Sequence, residues 1–139
     1  MAKTVVVVDG MGGGIGAKIV ALLRKEIKVE ISLLAIATNA VAAKNMVDAG
    51  ADRGASGENA FRISLPHADF VLGPIGIAFP NAMMGEVTPA MAEAVLMARA
   101  RKLLLPIAQS HVEIVGLPQC NVLDLVGEAV AALERALGE

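Results

Sequence analysis

The chain has 139 residues, the usual size of one domain and enough to bury roughly two thirds of the surface its unfolded form exposes. Hydrophobic residues make up 55% and charged residues 19%, a surplus of apolar surface that points to a partner subunit. A net charge of -2 with no Trp or Tyr argues against nucleic-acid binding; apolar runs broken short of a crossing helix exclude a membrane span; and the single Cys120 excludes an intramolecular disulfide.

Met1-Ala2-Lys3 carries no leader pattern, which points to the cytoplasm. Thr4 to Val8 is an unbroken β-branched run ending at Asp9, the pattern of a parallel strand buried on both faces. Glycines follow at once, and Ile15, Ile19, Leu22 and Leu23 then recur at helical spacing, with Arg24, Lys25 and Lys28 at the end that favours cations. Val29 to Ala37 reads as a second strand, Ala40 to Ala49 as a second helix closed by Gly50, and Ala51-Asp52-Arg53 as a short third strand. Gly54-Ala55-Ser56-Gly57 leads into a short helix from Glu58 to about Leu65, and Asp69 to Leu72 forms a fourth strand.

Residues 77–87 fit a short helix or a lid, because Pro80 and Gly85 interrupt an apolar run. Thr88-Pro89 is an N-cap followed by proline at the first helical position, predicting a helix to about Arg99, and Lys102 to Ile107 reads as the fifth strand. His111 to Val115 alternates and arrives too soon for a parallel crossover, so a short antiparallel edge strand is expected. Asn121 caps a last helix with Val122, Leu125, Val126, Ala129, Val130, Leu133 and Leu137 on one face. This alternation predicts a three-layer, doubly wound α/β domain of Rossmann-like type over residues 1–139, with strand order 3-2-1-4-5 and the sixth strand beside the fifth.

The chemistry concentrates at Asp9-Gly10-Met11-Gly12-Gly13-Gly14-Ile15-Gly16, which leaves a strand and opens a helix, the context a dinucleotide fingerprint requires. Glycines let the backbone approach a ligand, and the free N–H groups of a helix start favour a pyrophosphate. Gly12-x-Gly14-x-x-Ala17 fits the general dinucleotide form, while Gly10-x-x-x-Gly14-x-Gly16 resembles the turn of the short-chain dehydrogenases/reductases. That family's catalytic Tyr and Lys have no counterpart here, because the chain contains no Tyr. The expected cofactor is NAD or NADP. At the end of the second strand, where an Asp or Glu bonds the ribose 2′-hydroxyl, the chain offers Thr38 and Asn39. Asp9 would repel an anion unless hydrogen-bonded or matched by a cation such as Mg²⁺.

Across the expected switch point, Gly73-Pro74-Ile75-Gly76 would meet a nicotinamide or ribose, with Asn81, Glu86 and Thr88 placed to close over the site. Asp52, Arg53 and Glu58 are candidate catalytic groups should the ligand instead be a phosphorylated or carboxylated metabolite, or else form a solvated loop. His67 is expected at the surface, and His111 reaches a ligand only if its loop folds inward. No zinc spacing exists, and neither Ser56 nor Ser110 sits in a nucleophile elbow. Met46, Met83, Met84, Met91 and Met97 fill a core or an interface.

The glycine turn, Thr38-Asn39, residues 50–59, Gly73 to Gly76 and Gly85-Glu86-Val87-Thr88-Pro89 together resemble a small bacterial family catalogued only as a domain of unknown function. The resemblance implies a stand-alone Rossmann-like domain and brings no activity with it. Three functions stay open: a dinucleotide-binding protein, an enzyme for an anionic metabolite, or a non-catalytic interaction subunit. A homodimer is expected for each.

Overall fold

The computed structural model describes residues 2–107, 109 and 111–139. Chain order is β1 (Lys3–Asp9), α1 (Gly14–Glu26), β2 (Ile31–Ala37), α2 (Ala40–Asp48), β3 (Arg53–Ser56), α3 (Glu58–Ser64), β4 (Phe70–Pro74), α4 (Pro89–Met97), β5 (Arg101–Leu105) and α5 (Val122–Leu137). The five strands form one parallel sheet of order β3-β2-β1-β4-β5, the expected doubly wound arrangement. In register, Val7 lies between Ala35 of β2 and Leu72 of β4.

The unbroken apolar run of β1 is explained by helices on both faces. Val5 and Val7 pack with Ile19 and Leu23 of α1, Met46 of α2 and Leu133 of α5. Val6 and Val8 pack on the opposite face with Phe61 of α3 and Met91 and Val95 of α4. Side chains capping the helices fix where they begin: Asn39 accepts from the Ala42 amide, Thr88 from Met91 and Asn121 from Asp124. Among the described residues no helix is long and apolar enough to cross a membrane.

Several expectations are corrected. The third strand is Arg53–Ser56, so Gly54, Ala55 and Ser56 belong to the sheet and Ala51 and Asp52 precede it. Its residues are exposed, and it is held by backbone pairing to β2. Strand β2 starts at Ile31, leaving Val29 exposed, and β5 ends at Leu105. Helix α4 stops at Met97 because Ala98 is extended. Among the described residues the antiparallel sixth strand is reduced to a single bridge between Gln109 and Val112. Residues 77–87 are neither a regular helix nor an open flap: a 3-10 turn at Ile75–Ala78 leads into a knot of tight turns.

Candidate functional site

The parallel sheet brings the glycine turn, the end of β2 and the segment after β4 to one end, the end at which doubly wound sheets place ligands. Asp9, the last residue of β1, is buried and accepts hydrogen bonds from the amides of Gly10 at 2.8 Å and Gly16 at 2.7 Å. Its carboxylate is thus an internal cap for the turn. Burial raises its pKa above the ordinary carboxylate value, outweighing the two amide bonds, and nearby Glu86 pushes the same way.

The glycines of the turn divide into two kinds. Gly13 has a φ of 72°, and a Cβ there would lie 2.8 Å from the backbone of Ala42 at the head of α2. Side chains on Gly10 and Gly16 would run into Met83 and Thr38, and into Asp9 and Met46. These three are demanded by packing. Gly12 and Gly14 are exposed, avoid the left-handed region, and face open space where a Cβ would stand. Nothing in the protein's own packing requires glycine at either position. The amides of Gly12, Gly14 and Ile15 have no acceptor among the described residues, and those of Gly14 and Ile15 belong to the first turn of α1.

Glu86 completes the site. Its Oε1 accepts from the Met11 amide at 2.8 Å, the Thr38 hydroxyl at 2.6 Å and the Asn39 side-chain amide at 2.9 Å, tying the turn after β1 to the end of β2. These bonds, that of Thr38 foremost, hold its pKa below the ordinary value and keep it ionised. Asn39 also donates to the Met11 carbonyl, and Asn45 of α2 to that of Gly12. Glu86 is delivered by a knotted segment in which Asn81, Met83 and Met84 have φ of 67°, 58° and 57°. For the two methionines this left-handed geometry costs about 1 to 2 kcal/mol each. The segment is closed on itself by bonds from the Asn81 amide to the Val87 carbonyl at 2.7 Å and back from the Val87 amide to the Ala82 carbonyl at 3.1 Å.

A family model described as Domain of unknown function (DUF3842) matches residues 4–138. The chain belongs to this family. Nothing among curated proteins or solved structures matches it.

The remaining candidates of this DUF3842 chain fall away from the turn. Asp52 precedes β3, where it bonds the Leu33 amide at 2.8 Å and pairs with Arg24 near the end of α1 at 2.7 Å, so it sits toward the opposite end of the sheet. Arg53 is aligned with Leu34 in the middle of β2. Neither lines the crevice, a correction that follows from the later start of β3. Glu58 does lie at the crevice end, but it is exposed and two strands away from β1. Gly73, Pro74 and Gly76 are buried, with Gly73 tight against the Val8 carbonyl and Gly76 covered by the Gln109 side chain; only Ile75 of that exit is half-exposed.

His67 and His111 are exposed, and no group of three metal-ligating side chains occurs among the described residues. Ser110 lies outside the described residues. Met46 and Met91 are core residues, whereas Met84 and Met97 point outward. Past β5, an open groove of about 1270 Å³ is lined by Phe79, Ile107, Gln109, Leu117 and Leu125 among others. In the sequence Glu86 stands out only as a residue placed to close over the site. No local pattern links it to Thr38, 48 residues earlier; the sheet order does.

Proposed function

We propose that the chain binds a nucleotide of the NAD or NADP type at the C-terminal end of its sheet. The phosphates would rest on the amides of Gly12, Gly14 and Ile15. The observation that carries this reading is that two exposed glycines stand where the fold itself does not need them, beside unpartnered amides at the start of a 13-residue helix. A missing Cβ there serves only something that approaches from outside. The residues present fit a dinucleotide: bare amides for the phosphates and Thr38, Asn39 and Glu86 near the ribose, with Asp9 turned inward. The reading assigns binding and no reaction, and it carries a cytoplasmic location with it.

Titration calorimetry with NAD, NADH, NADP, NADPH, ATP and flavins tests it. At least one nucleotide should bind below millimolar concentration, and silence from all of them at about 1 mM rejects the reading.

An apolar surface favours a homodimer as part of the same proposal. Val112, Ile114 and Leu117 are exposed and line the groove past β5, and Val115 and Leu123 are exposed in the same stretch of chain. Sedimentation equilibrium should give twice the 14.3 kDa chain mass. A monomer at every concentration overturns the dimer.

A further inference from the structure

We infer that Glu86 is the ribose-reading acid of this site, its Oε2 accepting from the 2′-hydroxyl of an unphosphorylated ribose and its charge turning away a 2′-phosphate. The inference rests on the nucleotide reading above and adds which nucleotide is selected. In dinucleotide-binding sheets the acid that meets the ribose stands on β2 itself. Here Thr38 and Asn39 occupy that end, and neither ionises. Both instead donate to a carboxylate that arrives from the segment after β4.

The hydrogen bonds are lopsided in a telling way. All three donors, Met11, Thr38 and Asn39, converge on Oε1, while Oε2 has no partner among the described residues. Glu86 is thereby fixed in place before any ligand arrives, with one acceptor oxygen to spare, so little side-chain freedom is lost on binding. It leaves the amides of Gly12, Gly14 and Ile15 untouched, so phosphates and carboxylate do not compete for the same donors. The left-handed backbone at Asn81, Met83 and Met84 fits this role, since strained geometry persists where the surrounding structure holds a functional group in position. A carboxylate accepts well from a hydroxyl and repels a phosphate dianion, so the site should distinguish NAD from NADP.

The test compares NAD with NADP, and ADP with 2′-deoxy-ADP, on the wild-type protein and on Glu86→Gln, with thermal melting to confirm that the variant folds. Gln keeps an oxygen for the three donors and replaces the free acceptor by a donor. The wild type should favour NAD over NADP, and ADP over 2′-deoxy-ADP, by about tenfold or more, the usual value of a hydrogen bond to a charged group. In Glu86→Gln both preferences should shrink to about threefold or less. Equal wild-type affinity for NAD and NADP overturns the inference, as does a preference that survives in Glu86→Gln. Tighter binding of both nucleotides to the variant in equal measure also overturns it, by showing Glu86 to be an obstacle. Each of those results leaves the nucleotide reading standing, whereas no binding by the wild type removes both.

Discussion

Gly13→Ala should destabilise the fold by about 2 to 4 kcal/mol, while Gly14→Val leaves stability within about 0.5 kcal/mol of wild type and abolishes nucleotide binding. The two residues are neighbours, and their expected behaviour is opposite. At Gly13 an alanine must hold a φ of 72° and press its Cβ to 2.8 Å from the Ala42 backbone, so the starts of α1 and α2 have to move apart. At Gly14 an added Cβ faces open space, and the residue stands at the first position of α1, where losing a glycine is mildly favourable to the helix. Urea melts with parallel calorimetry measure both quantities. Nucleotide binding that survives Gly14→Val would remove the phosphate from this turn.

Asp9→Ala should cost about 2 to 4 kcal/mol, because two buried amides, those of Gly10 and Gly16, lose their acceptor at once. The penalty also carries a pH signature. Burial sets the folded-state pKa of Asp9 above the ordinary carboxylate value of about 3.8, so the folded state holds this proton more tightly than the unfolded state does. The stabilisation from that proton is complete below about pH 3.8 and is lost as pH rises through the higher folded-state pKa. Asp9→Ala has no such titration. The difference in unfolding free energy between wild type and Asp9→Ala should therefore be largest in acid, fall as pH rises through that window, and be flat above it. A difference that grows with pH would mean that the carboxylate is stabilised as an anion, and the assignment of burial as the dominant influence would be wrong.

The parts of the fold governed by local periodicity were legible in the sequence. The β-branched run of β1, the 3.6-residue period of α5 and the caps Asn39, Thr88 and Asn121 each follow from a short stretch of chain. Strand order 3-2-1-4-5 followed from the alternation of strands and helices. What was missed depends on partners distant in sequence. Gly54-Ala55-Ser56 has no strand-like composition and becomes β3 only because the backbone of β2 offers it hydrogen bonds. His111 to Val115 has the right alternation but stays exposed, with no sheet face to bury it, so the pattern has nothing to act on.

The candidate site divides in the same way. The glycine turn is contiguous and was visible at once, yet the sequence could not separate Gly12 and Gly14 from Gly13, since that distinction needs the position of Ala42. Asp9 stood out as an awkward charge, and only the fold reveals that it turns inward onto two amides. For Asp52 and Arg53 the difference is a strand boundary a few residues off, enough to put them toward the end of β3 away from the crevice. The acid that the second strand lacks lies 48 residues beyond Thr38, on a segment whose left-handed methionines no propensity would suggest.

Amide-resolved NMR of the ¹⁵N-labelled wild-type chain during titration with ADP addresses the phosphate site most directly. The largest shifts should fall on the backbone amides of Gly12, Gly14 and Ile15, with smaller ones at Met11 and Asn39. Spectra in which those three amides stay still up to about 1 mM ADP, or in which only residues near Val112 and Leu117 respond, would contradict the account.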